Sequence, residues 1–289
     1  MKLPGPFDII RVLEFQWPAR EPGFLLRNVS RADVLDTKTG RDPAFVDPAT
    51  GLLIMSFHSL VVRTDQGNLL VDACVGNHKE RPLIPEWHQQ EWPYLGRLEQ
   101  AGLTPADIDY VCCTHLHGDH VGWNTRLDDG RWVPTFPNAR YLFAAGEVAY
   151  WETYHEVDPV NAYVRPWADS VLPVMAAGQV DRVDYDHEIL PGIRLRHAPG
   201  HTPGNVVVEL DDGRARAVMS GDVIHHPVQI ERADWCSQFD TDHYQALETR
   251  QALLESLADT DTVLMGAHFA GSAAVRVVGD RDGFFYRHA

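Results

Sequence analysis

The chain has 289 residues, 44% hydrophobic and 23% charged, a composition that excludes a disordered or collagen-like polymer. Its formal net charge of −16, from 25 Lys and Arg against 41 Asp and Glu, disfavours long polyanions such as DNA or RNA, whose phosphates are bound through Lys and Arg. No apolar run approaches the ~18 residues of a membrane span, and the N-terminus MKLPGPFDIIRVLEFQWP lacks the apolar core and cleavage site of a signal peptide, so a cytoplasmic protein with neither membrane nor nucleic-acid partners is expected. Four cysteines in a chain this long do not make a disulfide framework, and adjacent Cys112 and Cys113 in an apolar run read as buried thiols.

Leu52 to Arg63 is β-rich, and Asp65-Gln-Gly67 reads as a hairpin turn into a second strand at Asn68–Cys74. A Pro- and Trp-rich stretch follows from Asn77 to Pro93, then a helix over Tyr94–Ala101 stopped by Gly102. Ile108–Thr114 is a short buried strand running straight into HLHGDH. Further on, Ala139–Ala144 reads as a strand and Gly146–Thr153 as a short helix; Asn161–Ala177 reads as a helix weakened by Pro166 and Pro173. Strands are expected at Gln179–Val183, Ile193–Ala198, Asn205–Leu210 and Ala215–Ser220. Thr241–Ala258 has the clearest helical period, with Tyr244, Leu247, Leu254 and Leu257 on one face and Asp240 placed as its cap. A strand at Thr262–Met265 ends at Gly266-Ala-His268, and Phe284–Arg287 is strand-like. Interspersed strands and helices with polar motifs at strand ends predict a layered α/β protein whose site lies along one sheet edge.

The segment His115-Leu-His117-Gly-Asp119-His120 carries the chemistry. This composition would generate its His-x-His-x-Asp-His pattern by chance about 0.004 times in the chain. A lone histidine is usually a satisfied core or surface residue. Three with an aspartate in one short loop are hard to bury idle, because each needs partners. Imidazole with carboxylate suits zinc, and also manganese, iron or cobalt. Three further candidates stand at strand ends: His201 in APGHTPG, Asp222 in SGD and His268 in GAHF.

The order of these motifs, the Leu70-Val-Asp72 strand end, HLHGDH, PGHTPG, SGD and GAHF, resembles that of the metallo-β-lactamase superfamily. The intervals of 86, 21 and 46 residues separating His115, His201, Asp222 and His268 are compatible with it. The resemblance implies an αββα sandwich with the metal site at one edge of its two sheets. It implies a single domain over residues 1–289, elaborated at 1–50 and 77–93. It also implies two divalent ions: one held by His115, His117 and His201, the other by Asp119, His120 and His268, with Asp222 bridging them. Asp72 would orient a ligand histidine, or serve as a plain strand-end turn. Two metals sharing a hydroxide give a nucleophile at neutral pH; Asp119 is placed to orient it or take its proton, and Asp222 completes the catalytic pair.

The best-known zinc β-lactamases carry a cysteine where this chain has Asp222, which argues against β-lactams as substrates. Flavodiiron oxidases need a flavodoxin domain, and glyoxalase II-like thioesterases a helical C-terminal extension; this sequence has neither pattern. The remaining group, lactonase and methyl-parathion-hydrolase-like, implies hydrolysis of a small lactone or carboxylic ester. Alternatives are a phosphotriester or phosphodiester hydrolase on the same site, and a non-catalytic metal-binding module. Trp123, directly after the motif, is expected at a substrate wall with the aromatics Trp87, Trp92 and Tyr94, whereas Trp132, Trp167 and Trp235 read as core. One of His225 and His226 is expected near the site. A homodimer is compatible with the acidic surface.

Overall fold

The anticipated hairpin anchors the first sheet. Strand β1 (Asp8–Arg20) precedes β2 (Leu53–Thr64), which turns through Asp65 and Gln66 into β3 (Gly67–Val71). The register pairs Thr64 with Gly67 and Leu60 with Val71, a two-residue connection of the kind antiparallel strands favour. Next come β4 (Tyr110–Cys112), a separate hairpin of β5 (Thr125–Asp128) and β6 (Arg131–Pro134), then β7 (Arg140–Ala144) and β8 (Val180–Val183). The six-stranded sheet runs β1-β2-β3-β4-β7-β8, and β3, β4, β7 and β8 pair in parallel. Central parallel strands are covered on both faces, which is why Val111 and Cys112 are fully buried.

A second sheet holds β9 (Glu188–Leu190), β10 (Ile193–His197), β11 (Val206–Asp211), β12 (Arg216–Met219), β13 (Val263–Met265), β14 (Ala274–Asp280) and β15 (Gly283–His288). Its order is β15 through β9 without a break in sequence, antiparallel except where β12 meets β13. This computed structural model describes residues 7–158, 165–281 and 283–289. It divides into two compact units with interleaved chain segments: Met1–Phe15 with Phe57–Tyr185, and Gln16–Ser56 with Asp186–Ala289. No helix among the described residues is long and apolar enough to cross a membrane.

The helices follow the expected pattern with informative departures. The one at Tyr94–Gln100 is as expected, and the one at Ala145–Val157 is longer. Of the helix expected over Asn161–Ala177, residues 161–164 lie outside the described residues, and the rest is a π turn at Trp167–Val171 followed by a short α-helix at Leu172–Ala176. Pro173 has no N–H to return to the carbonyl four residues earlier. That carbonyl, Asp169 O, instead accepts from Thr125 Oγ1 at 2.5 Å and Lys79 Nζ at 3.2 Å. Lys79 is fully buried with its ammonium 3.5 Å from the centre of the Trp132 ring, and Arg81 makes a two-pronged pair with the Asp169 carboxylate. These contacts fasten the Pro- and Trp-rich stretch to the first unit.

The longest helix, His243–Leu257, buries Ala246, Arg250, Leu253, Leu254 and Leu257. This face is not quite the expected one, since Tyr244 is 85% exposed. Its cap also moves: Asp242, not Asp240, accepts the N–H groups of Tyr244 and Gln245, while Asp240 is engaged by a histidine.

Candidate metal centre

In the first unit the ligand-type residues are presented by the end of β4. The chain passes through Cys113 and Thr114 to His115, then enters a single helical turn at Gly118–Val121. Asp72, just past β3 with φ of +58°, organises this loop. Its Oδ1 accepts the Thr114 N–H at 2.7 Å, and its Oδ2 lies 2.9 Å from His120 Nδ1. A carboxylate at Nδ1 directs Nε2 of His120 outward as a donor atom. Thr114 Oγ1 lies 3.2 Å from His115 Nδ1, and His115 Nε2 lies 3.0 Å from His117 Nδ1. His115 and His120 are buried, while His117 and Asp119 are half-buried.

The loop is held tightly from behind. Ala73 and Cys74 exchange backbone hydrogen bonds with His120, Gly122 and Trp123. A Cβ on Gly122 would stand 1.8 Å from Val75 O, so only glycine permits this approach. Glu147 Oε1 accepts the Leu116 N–H at 3.0 Å and the Trp151 indole at 2.8 Å. Glu14, from β1, is fully buried and accepts three donors: Val75 N–H and Gly76 N–H at 2.9 Å and Trp123 Nε1 at 2.5 Å. Burial pushes the Glu14 carboxyl up to about 7, against the lowering effect of its hydrogen bonds. Trp123, expected at a substrate wall, is instead 3% exposed and stacked on Tyr94 within the core cluster. Tyr94 is fully buried, Trp92 stacks on Phe15, and Trp87 packs edge-on to Phe57. Tyr94 and Trp123 thus belong to the core, whereas Trp87 and Trp92 are half-buried.

In the second unit Asp222 is the focus. Its carboxylate, 4% exposed, meets the Nε2 atoms of three buried histidines. His268 is 3.1 Å from Oδ1, while His225 and His201 are 3.2 and 3.4 Å from Oδ2. His201 follows Gly200, whose φ is +126° and whose Cβ would stand 2.2 Å from Ala246 N; glycine lets the loop lie directly on the helix His243–Leu257. That helix and the turn before it grip the loop: Asp242 N–H donates to Gly200 O, Thr241 N–H to His201 O, and Thr249 Oγ1 to Pro199 O at 2.6 Å. His201 Nδ1 donates to Asp240 Oδ1 at 3.0 Å, which turns its Nε2 toward Asp222. Burial works to raise the Asp240 carboxyl, but the His201 hydrogen bond and the charges of His201, His225 and Arg250 carry it below its ordinary value. His268 Nδ1 lies 3.2 Å from Ser56 O, which fixes that ring as well.

The adjacent histidines separate cleanly. His226 Nε2 donates to Phe45 O at 2.9 Å and its Nδ1 accepts the Val228 N–H, with burial pushing its imidazole down to about 4. It is a structural residue. His225 turns toward Asp222, its backbone N–H held by Gln229 Oε1 at 2.8 Å. Its Nδ1 has no hydrogen-bond partner among the described residues.

The donor sets fit divalent transition metals. Imidazole nitrogens crowd a buried carboxylate in the second unit, and two imidazoles stand nitrogen to nitrogen in the first. Histidine and aspartate at this density is the ligand chemistry of such ions, and His201, His225 and Asp240 also form a group able to hold one. The sequence reading missed Glu14, Glu147, Asp240 and Arg250. Asp240 holds the His201 ring directly, whereas Glu14, Glu147 and Arg250 act through backbone groups or other side chains.

A family model described as the metallo-beta-lactamase superfamily matches residues 58–268. An N-acyl homoserine lactonase from a Bacillus species is 23% identical over 180 residues, covering 58% of this chain and 63% of that protein. A probable metallo-hydrolase of Mycobacterium bovis is 26% identical over 190 residues, covering 58% and 57%. The chain thus spans less than two thirds of these curated relatives. Among solved structures, a hydrolase of the beta-lactamase superfamily, AbOPH, superposes with a TM-score of 0.80 at 19% identity, covering 99% of this chain and 96% of the other. AidC, described as a dizinc quorum-quenching lactonase in complex with a product, gives the same TM-score and identity and covers 99% and 95%.

Proposed function

Because the chain belongs to the metallo-β-lactamase superfamily and has its αββα fold, we propose that it is a dinuclear metal-dependent hydrolase of lactones or carboxylic esters. The observation that carries this reading is Asp222, a buried carboxylate met by the Nε2 atoms of His201, His225 and His268 at 3.1–3.4 Å. In this reading His115, His117 and His201 hold one ion, Asp119, His120 and His268 the other, and Asp222 joins them, so that residues 1–289 act as one catalytic domain. Zinc matches the donor set best. When bound, such ions supply Lewis acidity and bring the pKa of water toward about 7.

The protein's own groups do the rest. Asp72 and Asp240 fix the rings of His120 and His201 through their Nδ1 atoms, so that each presents Nε2 without reorganisation. Asp119, half-buried in the helical turn Gly118–Val121, orients the attacking water and accepts its proton. Hydrolysis adds that water's oxygen to the acyl carbon, breaks the acyl C–O bond and returns a proton to the departing alkoxide. His225, beside Asp222 and with Nδ1 uncommitted, hydrogen-bonds the substrate oxygen on which charge develops. Relatives named as N-acyl homoserine lactonases favour a small lactone substrate.

The test is a substrate panel on enzyme of known metal content: N-acyl homoserine lactones of graded acyl length, an aryl carboxylic ester and an aryl phosphotriester. Chelation should abolish activity, and the lactones or the ester should show the largest kcat/KM. A dominant phosphotriester rate would overturn the substrate assignment, and metal-loaded protein inert to the whole panel would overturn the enzyme reading.

A further inference from the structure

Arg250 is the only charged residue among the buried positions of the helix His243–Leu257, and it is completely shielded from solvent. An arginine in such a place must have partners, since an uncompensated buried charge is strongly destabilising. Its partners are specific. Nε donates to Val223 O at 2.8 Å and Nη1 to Ala233 O at 2.7 Å, while Nη2 faces Asp240 Oδ2 at 3.6 Å. Val223 directly follows Asp222. Asp240 receives His201 Nδ1 on its other oxygen, and its Oδ2 also accepts the Ser237 N–H at 2.8 Å. One planar guanidinium therefore spans two irregular segments that carry a metal-ligand candidate or its support. The leucines beside it show that the position would otherwise suit an aliphatic side chain.

We propose that Arg250 is a positioning residue of the metal centre: it sets the spacing between Asp222 and His201 by tying the carbonyl after Asp222 to the carboxylate that orients His201. The inference rests on the metal reading given above. It also explains the choice of arginine, whose rigid fork hydrogen-bonds two carbonyls in fixed directions while keeping its charge beside the Asp240 carboxylate. Asp240 shares its charge between Arg250 and His201, so the ring is held by a carboxylate that is itself held. Outer partners of this kind typically change metal affinity by about 10–100-fold.

The experiment measures bound zinc per chain by elemental analysis across a graded chelator series, with the melting temperature of the metal-free protein recorded alongside. Parent, Arg250→Met, Arg250→Lys and Leu253→Ala are compared; Leu253 is buried on the same helix face and serves as a purely structural control. Arg250→Met should lose zinc at about 10-fold lower chelator or less, Arg250→Lys should fall between it and the parent, and Leu253→Ala should melt earlier yet keep the parental chelator midpoint. If Arg250→Met does not fold, Arg250→Lys against Leu253→Ala decides by the same criterion. A parental midpoint in the Arg250 variants, or a midpoint in all variants that merely tracks melting temperature, overturns the positioning role. A parent that binds no zinc defeats the metal reading itself, and the proposal with it.

Discussion

Glu14 offers a sharp test of how the first unit is held together. Its carboxyl is fully buried and carried from an ordinary 4.5 to about 7, chiefly by burial, with a smaller repulsion from Asp119, while three N–H donors oppose the rise. A carboxyl whose folded pKa is raised binds its proton more tightly in the folded state. The fold therefore loses stability as pH climbs from 4.5 to 7, and the loss is complete above that. The interval corresponds to about 3 kcal/mol. Glu14→Gln removes the titration. Whatever the amide costs by facing three donors, that cost is the same at both ends of the range. The prediction is a double difference: relative to the parent, the variant should be about 2.5 kcal/mol more stable at pH 8 than at pH 5, since at pH 5 part of the interval has already been crossed. Urea unfolding of both proteins at the two pH values, in chelator so that metal binding does not enter, reads it directly. A double difference near zero or of opposite sign would mean that the three donors keep Glu14 ionised in the fold, and would refute the reasoning.

Two further outcomes follow from the geometry. Gly122→Ala places a carbon 1.8 Å from Val75 O, and because that contact is backbone, no side chain can move aside. Stability should fall by ~3 kcal/mol or more, and a variant melting within a few degrees of the parent would contradict the tight packing behind the metal loop. Asp222→Ala should lose bound metal and hydrolytic rate together; a metal-replete, fully active variant would remove Asp222 from its joining role.

The sequence exposed the ligand candidates because metal sites concentrate rare residue types at strand ends. HLHGDH is conspicuous against its own composition, and PGHTPG and SGD stand out as turn chemistry with one unexpected side chain. The supporting groups were not legible for a physical reason. Asp240 sits two residues from a helix cap, where an aspartate is ordinary, and only the fold shows that Asp242 takes that task while Asp240 turns to His201. Arg250 breaks an apolar stripe, so pattern reading shifted the buried face toward Tyr244; the spacing of Ala246, Arg250, Leu253, Leu254 and Leu257 would have revealed it had charge not excluded Arg250 from the core. Strand β1 was missed because Arg11, Glu14 and Pro18 interrupt its alternation, yet Glu14 is the residue that makes the strand matter. His225 and His226 were indistinguishable until tertiary contacts sent one to Phe45 and the other to Asp222. Trp123 misled by proximity, since a residue next to a motif in sequence can be the peg that anchors it.

The interleaving of the two units has a consequence for synthesis. The first unit has all its strands once Val183 has been made, whereas the second has received only Gln16–Ser56 by then and waits for β9 to β15. During that interval a piece of the unfinished unit is tethered at both ends to a finished one, through β1 and β2. A ribosome-bound chain can therefore present the finished His115–His120 segment before His201, Asp222 and His268 exist. Under the metal reading proposed above, a nascent chain offers four of the seven proposed ligands before the last strands are added.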